Sequence, residues 1–168
     1  GFGRIGQRVG ALCRALGLRV AAFDPYMERS PVEGVEMVKD FRAILPETDF
    51  LCLHLPSTPE TRDLIGAGEL ALLKRGAFVL NCARGGIVDE DVLCDALESG
   101  HLGGAGLDVF AKEPPDTAHR LFRQEKVLLS PHNAALTEEC AIRMATQAVQ
   151  NVLDCLDGKL QPRVVMNR

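Results

Sequence analysis

Short apolar runs alternate with longer amphipathic segments along this chain, and that rhythm leaves few folds open to it. The runs cover 18–23, 50–55, 77–81, 104–109 and 127–130, and each is rich in Val, Leu, Phe or small residues. Strands separated by helix-length segments pair in parallel, because only parallel neighbours need such crossovers. The pattern predicts an α/β chain with a doubly wound parallel sheet. One helix is expected over 4–16, closed by Gly17, and another from Asp89, where Asp89, Glu90 and Asp91 favour the positive helix end. The last is expected over 137–157. Its Ala141, Ala145, Val149, Val152 and Leu156 recur at steps of three and four, which predicts one buried face, and Gly158 closes it. The tail over 161–168 is expected to be short and extended.

With 168 residues, 46% of them hydrophobic, the chain can bury one core and is short for two. Its net charge of -4 and its scattered Lys and Arg argue against nucleic acid or an anionic membrane surface as partner. No apolar stretch approaches the roughly twenty residues of a membrane span. The six cysteines form no C-x-x-C pair and mostly sit in apolar runs, which suits a reducing, cytoplasmic setting. No residue pattern calls for a metal.

In an open parallel sheet the strands end on one edge, and ligands bind there. Asp24 follows the first run, His54 lies in the second before Pro56, Arg84 follows the third, Asp108 lies near the end of the fourth and His132 follows the fifth. Any one of them could be a polar residue at the end of a strand. Five on one edge suggest a site.

The chain opens with Gly1-Phe2-Gly3-Arg4-Ile5-Gly6, a G-x-G-x-x-G pattern that lets backbone approach a pyrophosphate at a helix N-terminus. A helical segment follows at once, and Asp24 stands eighteen residues beyond Gly6 at the end of an apolar run. A carboxylate there accepts the ribose hydroxyls of NAD and repels the 2′-phosphate of NADP. The competing role for Asp24 is a turn-forming Asp24-Pro25 pair. The arrangement implies a Rossmann-like fold, and the pattern ordinarily follows a strand. The chain is therefore expected to lack its first strand.

Three further motifs stand in order: Asn81-Cys82-Ala83-Arg84-Gly85-Gly86-Ile87-Val88-Asp89, then Gly106-Leu107-Asp108-Val109-Phe110 with Glu113-Pro114, then Ser130-Pro131-His132-Asn133-Ala134. Together with the glycine loop they make the chain resemble the D-isomer-specific 2-hydroxyacid dehydrogenases from Gly1 to about Asn167. The Asp24-Pro25-Tyr26 segment resembles the phosphoglycerate dehydrogenase-like branch. The resemblance further implies that most of a substrate domain is absent, with a nucleotide-binding domain over 1–160 and a return segment over 161–168. The resemblance implies a catalytic set of Arg84, Glu113 and His132 and an NAD site drawn from Gly1, Gly3, Arg4, Ile5, Gly6, Asp24, Pro25, Cys82, Ala83, Arg84, Asp108, His132 and Ala134. Asp108 would accept from the nicotinamide carboxamide, and His54, Pro56 and Thr61 would pass the adenosine side.

The chemistry is consistent with that implication. Oxidising a 2-hydroxy acid needs a base for the hydroxyl proton, and His132 suits it. A carboxylate on the other imidazole nitrogen would orient the ring, which suits Glu113. The planar fork of Arg84 suits the substrate carboxylate and developing carbonyl. The plainer alternatives are Arg84 pairing with Asp89, Glu113 solvated before Pro114 and His132 as a turn residue. Asp108 could equally be an ordinary strand-end aspartate and His54 a structural histidine. Cys82 is expected to pack rather than react, and His101 and His119 receive no role.

The function expected is NAD-dependent hydride transfer between nicotinamide and a D-2-hydroxy or 2-keto acid, by a homodimer when complete and not by these residues alone. The rivals are an NAD(H)-sensing corepressor-like scaffold and an inactive fragment.

Overall fold

A computed structural model of the chain describes residues 1–165. It divides into two compact units, Gly1–His132 and Asn133–Arg168.

The first unit is built on six short strands: β1 (Val20–Ala22), β2 (Val35–Met37), β3 (Phe50–Leu53), β4 (Phe78–Asn81), β5 (Gly104–Leu107) and β6 (Val127–Leu129). Every pairing is parallel, as the alternation predicts. The strands form two hydrogen-bonded pieces, β1-β2 and β3-β4-β5-β6. Gly1 stands between the ends of β1 and β3: its amino group donates to the Phe23 carbonyl at 2.9 Å. Its α-carbon also lies so close to the His54 carbonyl that a Cβ there would come within 2.5 Å of the oxygen.

Strand β2 was not expected. At three residues between turn segments, it carries too little alternation to stand out. The expected strands are present but shorter, so His54 follows β3 instead of lying within it, and Asp108 follows β5. Helix α1 (Arg4–Ala15) precedes β1, α2 (Ala67–Leu72) joins β3 to β4 and α3 (Glu90–Glu98) joins β4 to β5. One core forms under the four-stranded sheet, from Leu53, Val79, Ala105 and Leu107 on the strands with Leu70, Leu93 and Leu97 on the helices. Leu93 and Val79 are fully buried, and burying such a side chain stabilises the fold by roughly 1.5–3 kcal/mol.

The second unit is dominated by α4 (Glu138–Leu156), capped by the Thr137 hydroxyl accepting from the Cys140 amide at 3.2 Å. The helix falls where its periodicity places it, but the expected buried face is absent: none of its residues is buried, and Val149, Val152 and Leu156 are exposed. A lone helix has no second layer within its unit to receive an apolar stripe. The tail also departs from expectation, because Pro162–Val164 turn as a 3-10 helix instead of running extended; residues 166–168 of the expected return segment lie outside the described residues. Among the described residues no helix is long and apolar enough to cross a membrane, and no group of His, Cys, Asp and Glu is placed to hold a metal ion.

Candidate functional site

Parallel pairing carries the C-terminal ends of the strands to one edge. Asp24 follows β1, His54 follows β3, Cys82–Arg84 follow β4, Asp108 follows β5 and His132 follows β6. The edge predicted from sequence is therefore the edge on which these residues stand. Ala134 lies past the boundary, in the second unit.

The glycine loop leads into an α1 whose first turn has no side-chain cap. α3 is capped by the Asp89 carboxylate, which accepts from the Asp91 and Val92 amides, and has acidic residues in its first turn. α1 has neither a side-chain cap nor an acidic first turn, and it begins with Arg4. Its first-turn N–H groups and the positive end of its dipole remain available to an anion. The three glycines differ in what they make room for. A Cβ on Gly6 would press on the Gly1 carbonyl at 2.5 Å, whereas at Gly3 it would meet no atom within 4 Å. Gly1 and Gly6 thus let protein pack against protein, and Gly3 leaves space beside the helix end for a ligand. Ile5, in the first turn of α1, is largely exposed.

Asp24 is tied to this loop. One carboxylate oxygen accepts from the Phe2 amide at 2.8 Å and the other from the Tyr26 amide at 3.0 Å. Burial pushes its pKa up, but the two amides and the Gly1 ammonium outweigh it, so the group stays below its ordinary value and ionised. Each oxygen has lone pairs for a further donor. Pro25 is exposed beside it. Asp24 therefore holds the turn after β1 against the glycine loop and keeps acceptor capacity in reserve.

On the other side of the loop, the His54 ring nitrogen Nε2 is buried without a hydrogen-bond partner. Burial and the Gly1 ammonium lower the pKa of its imidazole, which keeps it neutral. The Thr61 hydroxyl is spent locally, donating to the Pro56 carbonyl at 2.8 Å and accepting from the Thr58 amide at 2.7 Å. It shapes the turn that follows β3.

Glu113 and His132 meet across nineteen residues, with His132 Nδ1 2.8 Å from Glu113 Oε2. The other oxygen of Glu113 accepts from the Phe110 amide at 3.1 Å. The hydrogen bond from His132, then that from Phe110, holds the Glu113 carboxyl below its ordinary range. An ionised carboxylate only accepts, so the imidazole proton sits on Nδ1 and Nε2 is left to act as a base. His132 has φ +54, a left-handed conformation uncommon outside glycine, and its amide bonds the Ser130 carbonyl at 3.1 Å. Such conformations persist where surrounding structure imposes them.

Arg84 is exposed, and its guanidinium donates to the Ala83 carbonyl at 2.6 Å. Among the described residues no ion pair joins Arg84 to Asp89, whose Oδ1 accepts from the Asp91 and Val92 amides instead. The Arg84 and Glu113 loops are pressed together: a Cβ on Gly85 would collide with the carbonyl of Phe110. Glu90 fixes the second loop further by accepting from the Ala111 amide at 2.6 Å. Asp108 is 3% exposed and accepts from the Ser130 hydroxyl at 2.5 Å. Burial, then the neighbouring Asp108 charge, raises the Cys82 thiol pKa, which keeps it protonated and a poor nucleophile.

Sequence reasoning quoted Asn81, Gly85 and Ser130 without giving them a role. Asn81 and Gly85 flank the Arg84 turn, and Ser130 holds Asp108. The only sequence signal was local for Asn81, an Asn at a strand end before a tight turn. Nothing local marks Gly85 or Ser130, since their partners lie more than twenty residues away.

Residues 1–134 match the family described as D-isomer specific 2-hydroxyacid dehydrogenase, NAD binding domain. The chain is 40% identical over 167 residues to a D-3-phosphoglycerate dehydrogenase of Methanocaldococcus jannaschii, covering 98% of this chain and 32% of that protein. It is 41% identical over 170 residues to a glyoxylate reductase of Aeropyrum pernix, covering 98% and 50%. Its fold matches the crystal structure of D-lactate dehydrogenase with NAD+ from Lactobacillus jensenii with a TM-score of 0.90 at 29% identity, covering 100% of this chain and 54% of that one. The chain thus spans between 32% and 54% of the length of these proteins.

Proposed function

The chain belongs to the D-isomer specific 2-hydroxyacid dehydrogenase family and carries its NAD-binding domain, and from that premise we propose that it holds the catalytic groups of an oxidoreductase interconverting a D-2-hydroxy acid and its 2-keto acid. The observation that carries the proposal is the 2.8 Å contact between His132 and Glu113, on a loop packed against the turn that presents Arg84.

The uncapped end of α1 and the space beside Gly3 suit the pyrophosphate, and Asp24 suits the ribose hydroxyls. Arg4 and Ile5 lie in that first turn. Asp108, buried and oriented by Ser130, suits the carboxamide, with the backbone of Cys82 and Ala83 beside it. Residues 1–160 then act as the nucleotide-binding domain and 161–168 as a return segment, with the protein a cytoplasmic homodimer.

When bound, NAD supplies a hydride acceptor at its nicotinamide. His132 Nε2 takes the hydroxyl proton as C2 gives up its hydride and the C2–O bond becomes a carbonyl; in reduction the same nitrogen returns the proton. Glu113 holds the ring in the tautomer that leaves Nε2 basic and faces the charge that forms on it. Arg84 binds the substrate carboxylate through its planar fork.

The test is NADH oxidation with a panel of 2-keto acids by the full-length protein and its His132→Ala variant. Turnover lowered about 100-fold or more with NADH affinity kept supports the assignment. Turnover within a few-fold of wild type overturns it, and NADH-dependent assembly without turnover in the wild type favours the scaffold.

A further inference from the structure

Asn81 has no chemical role in the site described above, yet it is 2% exposed and commits its side chain to the segment carrying Arg84. Its Oδ1 accepts from the Ala83 amide at 3.1 Å, and its Nδ2 donates to the Arg84 carbonyl at 2.9 Å. Its own carbonyl accepts from the Asp108 amide at 3.0 Å. β4 ends at Asn81, so the residues after it leave the strand ladder just where Arg84 must be presented.

The Ala83 backbone is consequently held at both ends. Its amide is held by Asn81, and its carbonyl receives the Arg84 guanidinium at 2.6 Å. The turn asks for an acceptor and a donor from one short side chain. Asparagine supplies both in neutral form; aspartate would set a second acceptor against the Arg84 carbonyl, and leucine would satisfy neither. With the site buried, water cannot readily replace either bond.

We propose that Asn81 is a positioning residue that sets the direction of the Arg84 guanidinium toward the substrate carboxylate, acting through the backbone of Ala83 and Arg84. This rests on Arg84 being the carboxylate-binding group. Through its carbonyl, Asn81 also sets the height of the Asp108 strand end against the same turn.

The experiment is a double-mutant cycle in the full-length protein, reading KM for a 2-keto acid, kcat, its pH profile and NADH affinity. Asn81→Ala is expected to raise KM about tenfold or more, since small misplacement of an orienting group is costly. NADH affinity should fall by less than KM rises, because the Ala83 backbone only borders the nicotinamide, and the pH at which kcat falls should not move, because His132 and Glu113 lie on other loops. In an Arg84→Ala background, Asn81→Ala should change KM by less than about twofold. Independent, multiplying effects would overturn the proposal, as would a shifted pH profile with unchanged KM. If Asn81→Ala fails to melt cooperatively, Asn81→Ser, whose hydroxyl can accept from the Ala83 amide, carries the same cycle with the same outcomes. An Arg84→Ala variant with unchanged KM would instead bring down the assignment of Arg84, a result separable from the failure of Asn81.

Discussion

His132 and Glu113 lie 2.8 Å apart at Nδ1 and Oε2 although nineteen residues separate them. The Phe110 amide holds the carboxylate from its other oxygen, so the pair is oriented from the loop side before any substrate arrives. Glu113→Gln keeps an acceptor but removes the charge that faces the imidazolium. It is expected to lower kcat about 10- to 100-fold with NADH affinity unchanged, measured by steady-state kinetics and fluorescence titration.

The same pair predicts a pH dependence of stability. The folded-state pKa of Glu113 lies below its ordinary value, and so does that of Asp24. A lowered carboxylate contributes stability that is complete above the ordinary carboxylate range and is lost as pH falls through the folded value. The melting temperature should therefore hold from neutrality to about pH 5 and fall below about pH 4. Thermal scans of Glu113→Gln should show a shallower acid fall; an identical fall would separate Glu113 from it.

The left-handed backbone of His132 separates catalysis from stability. Asparagine tolerates φ near +54 better than alanine does. His132→Asn and His132→Ala should both be inactive, but the Asn variant should be more stable by about 1 kcal/mol. Denaturant melts of the two variants check this, and equal stability would argue that the strain is relieved elsewhere.

Two glycines should part ways on substitution. Gly3→Ala adds a methyl where no protein atom lies within 4 Å, so melting should be unchanged while NADH binding weakens about tenfold or more. Gly85→Ala drives a Cβ into the Phe110 carbonyl, and should cost about 1–3 kcal/mol of stability while loosening the loops that carry Arg84 and Glu113. Calorimetry with NADH titration distinguishes them.

Asp24 should govern cofactor choice. Asp24→Ala is expected to cut the preference for NADH over NADPH, in kcat/KM, by about tenfold or more. It should also destabilise the glycine loop by about 1 kcal/mol, because the Phe2 and Tyr26 amides lose their acceptor. A full-length wild type that uses NADPH as well as NADH would remove the assignment.

Much of the site was legible because it depends on local order. Parallel strands place whatever follows them on one edge, so Asp24, His54, Arg84, Asp108 and His132 could be collected from sequence by reading past each apolar run. Asp89 as a helix cap was legible for the same reason, since its partners are the next two amides but one. β2 was not legible, because three residues cannot display a period.

What the sequence determined by itself is the alternation, hence parallel pairing, and the chemistry available at the strand ends. Only the tertiary structure decided which of those groups meet. It joined Glu113 to His132 and thereby chose the tautomer; it resolved Arg84 away from Asp89; it set Gly85 against Phe110 and Ser130 on Asp108. It also left α4 without a buried face inside its own unit, which amphipathic spacing could not foretell. The physical reason is range: helix caps, turns and strand pleats act between residues a few positions apart and leave periodic marks. Hydrogen bonds and close packing between loops act through space, and leave no pattern in the order of the residues they join.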